Sequence, residues 1–229
     1  MRLSALAAGI GALSDDTRRA LYEYVAAQHA PVGRDEAATA LGIRAHKVNF
    51  HLDRLVEEGL LDVEYRRLTG RTGPGAGRPS KLYRRSDREF SVSLPPRRYD
   101  LVGNILASSI TRARDGQSLE AALHESAREH GLTAGRATIH DEDATITQLA
   151  AALAEQGYEP DDHDGVLALH NCPFDTLASK HTALVCALNE SYVQGVADGM
   201  GCCQVDARLE PGEGRCCVRV HRREESARE

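Results

Sequence analysis

The sequence predicts an α+β protein, with a basic, helix-rich first part and a mixed α/β second part joined by a helical segment. Three observations carry this. Three helical patterns open the chain and are followed by two extended segments around a Gly/Pro-rich loop. Charge is split: residues 1–98 hold 17 Lys/Arg against 12 Asp/Glu, and residues 99–229 hold 11 against 22. All six Cys lie in the last 58 of the 229 residues. With 41% apolar and 27% charged residues the chain can bury a core, which excludes wholesale disorder. With no Trp and only three Phe, a deep aromatic-lined substrate pocket is disfavoured.

The first helix is the apolar run Leu3 to Leu13. It follows Arg2 as a signal peptide would, but it lacks a convincing cleavage site and a charged helical pattern follows at once. It is therefore expected at a dimer contact or in the core of the first domain, and the protein is expected in the cytoplasm. No stretch approaches the ~20 apolar residues of a membrane helix. The second helix starts at Ser14 as N-cap, with Asp15 and Asp16 favoured by the positive helix N-terminus. Leu21, Tyr24 and Val25 form its apolar face. Gly33 to Leu41 is a short helix stopped by Gly42. Arg44 to Glu58 is a longer helix with the stripe Val48, Leu52, Leu55 and Val56, ended by Gly59.

Leu61, Val63, Tyr65 and Arg67 alternate with polar residues as in a strand. The loop Thr69 to Pro79 holds four Gly and two Pro, and Ser80 to Arg85 is extended again. Helix, short helix, turn, longer helix and two-stranded ribbon together describe a winged helix-turn-helix. The longer helix carries Arg44, His46, Lys47, Asn49 and His51 near its start, types that bond phosphates and base edges. Between Val63 and Arg85 there are seven basic residues, Arg71, Arg78 and Lys81 among them, against the single acid Glu64. A basic ribbon directly after a recognition-type helix points to double-stranded DNA rather than to an ordinary solvated face. Gly73-Pro74-Gly75-Ala76-Gly77 lacks the Gly-Lys-Ser/Thr ending of a phosphate loop and precedes a strand, so nucleotide binding there is rejected. The run Asp15 to Glu58 followed by Gly77-Arg78-Pro79-Ser80-Lys81-Leu82-Tyr83-Arg84 resembles the ArsR/DeoR-like winged-helix repressors, and this wing looks most like the SufR-type branch.

After a linker containing Pro95 and Pro96, residues 99–113 put Leu101, Ile105, Leu106 and Ile110 on one helix face, as a dimerisation helix would. Helices are predicted near 118–134, 145–156 and Thr182 to Ala197. Strands are predicted at Val166 to His170, Val205 to Leu209 and Cys216 to Val220. The domains expected are a winged helix-turn-helix over 1–92, a linker and dimerisation helix over 93–117 and a cysteine-rich sensor domain over 118–229.

The cysteines are Cys172, Cys186, Cys202, Cys203, Cys216 and Cys217, with intervals of thirteen, fifteen and thirteen residues between Cys172, Cys186, Cys202 and Cys216. A reducing compartment does not favour structural disulfides, and six late thiols are too many for chance core packing. There is no Cys-x-x-Cys pair, so zinc ribbons and thioredoxin-like motifs are disfavoured. Thiolates from separate elements suit an iron–sulfur cluster, zinc or copper(I). In a strand, Cys216 and Cys217 would point to opposite faces, so one of the two should face a given cluster. His170 and His181 are weaker ligand candidates, and Glu159 to Asp164 reads as a solvated acidic turn rather than a cation site. A Cys172 nucleophile with His170 or His181 lacks an orienting third group, so the chain is not expected to be an enzyme.

The resemblance extends to this part. His170-Asn171-Cys172-Pro173-Phe174, the Cys186 helix and Gly214-Arg215-Cys216-Cys217-Val218-Arg219 look like the SufR-type effector domain. That resemblance implies a homodimeric repressor on a palindromic operator, controlled by a cluster, expected to be [4Fe–4S], that reports cluster supply, oxidants or nitric oxide. It carries the ligand roles to Cys172, Cys186, Cys202 and Cys216, with Cys203 and Cys217 as alternates. The alternative is a zinc-binding or thiol-based redox sensor on the same DNA-binding frame.

Overall fold

The computed structural model describes residues 3–67, 79–138, 144–202, 204–212 and 214–223. The chain divides into two compact units, Met1–Val92 and Ser93–Glu229.

The first unit opens with α1 (Leu3–Ala12), which buries only Gly9 and Ala12 and leaves Leu3 and Ile10 exposed. The helix is therefore not the core element that its apolar composition suggested. α2 (Asp16–Ala26) is capped one residue later than expected: the Asp15 carboxylate, not Ser14, accepts from the Arg18 N–H at 2.9 Å. Ser14 instead donates back to the Gly11 carbonyl of α1. β1 (Val32–Gly33) leads into α3 (Arg34–Leu41), which ends at Gly42 in the left-handed conformation, φ +65°. That residue makes the turn into α4 (Ala45–Glu57), and only glycine adopts it without strain. β2 (Leu61–Arg66) and β3 (Ser80–Arg85) pair antiparallel with Val63 opposite Tyr83, and β1 adds to the other side of β3. Leu21, Val25, Val48, Leu52, Leu55, Leu61 and Tyr83 form the core beneath them.

The second unit begins with α5 (Tyr99–Arg114), α6 (Leu119–Arg136) and α7 (Ile146–Glu155). A four-stranded antiparallel sheet follows, ordered β4-β5-β7-β6, from β4 (Pro160–His163), β5 (Val166–Leu169), β6 (Val205–Leu209) and β7 (Val218–Arg222). A short α8 (Asp175–Ala178) and the long α9 (Thr182–Gly199) lie between β5 and β6. Two expectations need correction. The acidic run is strand β4, paired with β5, because its register puts Asp161 opposite Ala168 at an exposed sheet edge. The 99–113 helix is no free-standing dimer helix: Leu101, Val102 and Ile105 are buried in the core of the second unit, and Leu106 packs against it. Of the proposed dimer stripe only Ile110 remains exposed.

α9 is buried along most of its length and meets α6 backbone to backbone. A Cβ on Gly131 would strike the Tyr192 carbonyl, and one on Gly135 the Val196 carbonyl. Reciprocally, Gly195 faces the Arg128 carbonyl and Gly199 that of Leu132. Two pairs of glycines four residues apart thus form the crossing, and Arg128 bonds Asp198 beside it at 2.5 and 3.1 Å. Among the described residues no helix is long and apolar enough to cross a membrane.

The crossing makes a signed prediction. Gly→Ala in an unconstrained helix adds stability of about 1 kcal/mol. Gly103→Ala in α5, where nothing lies within 4 Å of the new methyl, should show that gain. Gly195→Ala should instead cost about 1–3 kcal/mol, because rigid backbone occupies the space. Urea unfolding followed by circular dichroism reads both, and a stabilising Gly195→Ala would refute the close approach.

Candidate nucleic-acid interface and thiol centre

α4 and its N-cap residue Arg44 present Arg44, His46, Lys47, Phe50 and Arg54 to solvent, and α4 buries Val48, Leu52 and Leu55 against the first unit's core. His51 does not share the exposed face. It is 6% exposed, and its Nδ1 lies 3.9 Å from Asp15 Oδ1. The helical period carries it inward with Val48 and Leu52, so the expected DNA contact is a core histidine. Burial pushes its pKa down, against the opposing pull of Asp15.

Asn49 and Lys81 are also engaged within the domain. Both bond the Asp53 carboxylate: Asn49 Nδ2 donates at 3.0 Å, the Lys81 ammonium forms an ion pair, and the Tyr83 hydroxyl donates at 2.9 Å. This quartet ties the recognition-type helix to β3. Burial raises the Asp53 pKa, but the bonds from Lys81, Tyr83 and Asn49 outweigh it and leave the carboxyl below its ordinary value. Burial and the neighbouring carboxylate push Tyr83 to about 12, so it remains a donor. Arg66, Arg67, Arg84 and Arg85 at the ribbon are exposed. Arg71 and Arg78 lie outside the described residues.

In the second unit four thiols from three elements lie as two pairs. Cys172 sits on the loop after β5, Cys186 in the second turn of α9, and Cys216 and Cys217 in the turn before β7. Cys186 Sγ lies 2.7 Å from Cys217 Sγ, and Cys172 neighbours Cys216. The strand argument about Cys216 and Cys217 does not apply, since both precede β7, where there is no alternation; Cys217 pairs with Cys186 and Cys216 neighbours Cys172. Cys202 belongs to neither pair. It follows the end of α9, and the helical rise from residue 186 to residue 199 is about 20 Å. Cys202 lines a separate cavity of 580 Å³ with Thr145, Ile146 and Val205. Cys203 lies outside the described residues. His170 pairs with Asp161 at 3.5 Å, and His181 is an exposed residue at the start of α9.

Sequence reasoning missed the polar support of this centre. The buried Asn189 donates from Nδ2 to Cys216 Sγ at 3.1 Å, and its Oδ1 accepts from the Tyr158 hydroxyl at 2.5 Å. Asn189 is one turn from Cys186, so helical spacing was the available signal. The neighbouring Cys216 thiol lowers the Cys172 pKa against burial, while Cys172 and burial raise that of Cys216. Burial pushes Cys186 up to about 12.

The donors are of the type that suits a soft metal, two pairs of thiols, Cys186 with Cys217 and Cys172 with Cys216, in a largely buried place. Cys186 Sγ and Cys217 Sγ stand 2.7 Å apart, closer than the roughly 3.8 Å between two thiolates on one tetrahedral metal with Zn–S bonds near 2.3 Å. Among the described residues no group of three or more His, Cys, Asp or Glu side chains is arranged to hold a metal ion. A single tetrahedral ion would part Cys186 and Cys217 by about an ångström, and a four-iron cluster, in which each thiolate binds a different iron, would part them further.

Residues 13–64 match a family described as a helix-turn-helix domain. The N-terminal unit is a helix-turn-helix DNA-binding domain. The protein that carries it is a DNA-binding transcriptional regulator. Among curated proteins none matches the chain, and among solved structures none does. The matched span of the regulator runs from the residue before α2's approach through α4 into β2, so it includes the exposed face of α4 and Asp53.

Asp53 gives the regulator an acid-sensitive joint. Its folded pKa is depressed, so its contribution is fully present above the unfolded value of about 3.9 and is lost as pH falls through the folded value. Asp53→Asn should cost about 1 kcal/mol at neutral pH, the screened size for a partly exposed pair. It should also flatten the loss of first-unit stability between roughly pH 5 and pH 2. Thermal unfolding across that range checks both; equal slopes in the two proteins would contradict the role.

Proposed function

We propose that this regulator is a homodimer, acting as a repressor on a palindromic operator, whose DNA affinity is set by a [4Fe–4S] cluster held by Cys172, Cys186, Cys216 and Cys217. The observation that carries the reading is the two thiol pairs, Cys186 with Cys217 and Cys172 with Cys216, brought together from a loop, a helix and a turn. When bound, such a cluster supplies a thiolate-held centre that responds to oxidants and to iron supply. The ligand set differs from the regular cysteine spacing in that Cys217 replaces Cys202, for the reason of distance given above.

The chain's own residues offer a route from the thiols to the DNA-binding domain. Arg97 Nη1 donates to Asn171 Oδ1 at 2.6 Å and to the Cys172 carbonyl at 3.2 Å. The Arg98 N–H donates to the Pro173 carbonyl at 3.0 Å, and Asn171 Nδ2 donates to the Pro96 carbonyl at 3.2 Å. The Cys172 loop therefore holds residues 96–98, the first part of the second unit and the continuation of the DNA-binding unit. Movement of Cys172 moves this anchor. In a dimer on DNA, two recognition helices must match half-sites roughly 34 Å apart, so a small change at the anchor alters operator fit.

A second reading is favoured by one contact. Cys186 and Cys217 are close enough to form a disulfide: a hydroperoxide would take two electrons, the two thiols would lose their protons, and an alcohol and water would leave. A zinc site on the same thiols belongs with this alternative.

Absorption of anaerobically purified protein, with iron, sulfide and zinc counted on the same sample, separates the readings. About four iron and four sulfide per chain with a band near ~400 nm is the expected result. Colourless protein with about one zinc, or none, moves the assignment to zinc or to bare thiols. Cys172→Ser should lose the colour and Cys202→Ser keep it; the reverse would refute the ligand set. Arg97→Met should keep the metal content yet abolish the change in DNA affinity on cluster loss, measured by fluorescence anisotropy. A full response in that variant would refute the anchor route.

A further inference from the structure

Phe50 stands in the middle of the outward face of α4, with 65% of its surface open to solvent. It is not a spare core residue, because the opposite face already packs Val48, Leu52 and Leu55. Its helical neighbours one turn away are the exposed His46 and Lys47 before it and, after it, Asp53, held by Asn49, Lys81 and Tyr83, and Arg54, paired with Glu57 and Glu58. An apolar ring is thus set among groups that suit phosphates and base edges. The ring is also braced. The buried His51 meets it edge to face, with centroids 5.3 Å apart and planes at 73°. That geometry limits the entropy lost when the ring is fixed against a partner.

A phenyl group has no hydrogen-bonding atom with which to read a base. What it can recognise in a major groove is the C5 methyl of thymine, the one apolar feature the four base pairs present there. A second copy of the chain is a poorer occupant, since it would bring the same His, Lys and Arg side chains against these. We propose that Phe50 is a specificity-determining residue that contacts thymine methyl groups in the major groove of the operator. The proposal rests on the DNA-binding domain alone and is independent of what the thiols hold.

The test begins with an operator sequence selected from random duplexes by the full-length protein. Each thymine is then replaced singly by deoxyuridine, which keeps every hydrogen-bonding group and removes only the methyl. Wild-type affinity should fall about fourfold at one or two positions in each half-site, the value of one buried methyl-sized group. Phe50→Ala should bind the thymine and uracil forms of those positions equally, and Phe50→Leu should retain part of the difference. Unfolding curves confirm that both variants fold. Uracil penalties that persist in full in Phe50→Ala, or no penalty in the wild type, overturn the proposal. So does a Phe50→Ala protein whose sedimenting mass changes while its discrimination does not, which would place Phe50 at a protein interface. A pool that yields no preferred sequence overturns sequence-specific recognition by this domain and the proposal with it.

Discussion

The second unit depends on one steric condition, the absence of side chains where α6 crosses α9. Gly131, Gly135, Gly195 and Gly199 let two helix backbones approach until carbonyls fill the places of Cβ atoms. Dispersion acts steeply with distance, so close approach brings many atoms into favourable contact at once. The crossing seats α9, and α9 carries Cys186 and Asn189 toward the end of the two inner strands, β5 and β7, where Cys172 and Cys216 lie. The thiol centre is thus a consequence of four glycines that touch none of the sulfurs.

The DNA-binding unit solves a different problem. A helix-turn-helix must hold its recognition helix at a fixed angle to the wing, yet the core beneath is small. Asp53 does this with three donors from one helix and one strand. Asn49 and Lys81, which resemble DNA contacts by type and position, act as struts. Partly exposed ion pairs contribute little stability, but three convergent bonds on one carboxylate fix geometry. What remains free to meet DNA on α4 is a smaller and more mixed set, Arg44, His46, Lys47 and Phe50.

The proposed regulation joins these units through covalent continuity. Residues 96–98 are bonded to the loop of Cys172, so the chain itself leads from that loop toward the helix-turn-helix. The polar groups in that joint are paired with one another, which makes its arrangement discrete rather than yielding. A chemical change at Cys172 therefore has a defined neighbour to displace.

Much of the first unit was legible in the sequence because its signals are local. The Gly42 turn, the stripe Val48, Leu52 and Leu55 and the basic ribbon declare themselves within a few residues, and the helix-turn-helix follows from them. The thiols were legible as a group, since their number and late position have no bland explanation. Which of them meet was not legible. Even spacing along the chain favoured Cys202, but a straight helix turns sequence interval into distance and carries that residue away. Cys216 and Cys217 were misjudged because the strand begins two residues later than the apolar pattern suggested. His51 was misplaced because residue type was weighed above helical phase, and Phe50 was passed over because an apolar residue on a helix is ordinarily core. Sequence alone thus determined the kinds of chemistry present, which depend on residue type and local pattern. Tertiary structure decided the partners, because a side chain's role depends on what faces it, and that is set by contacts between residues distant along the chain.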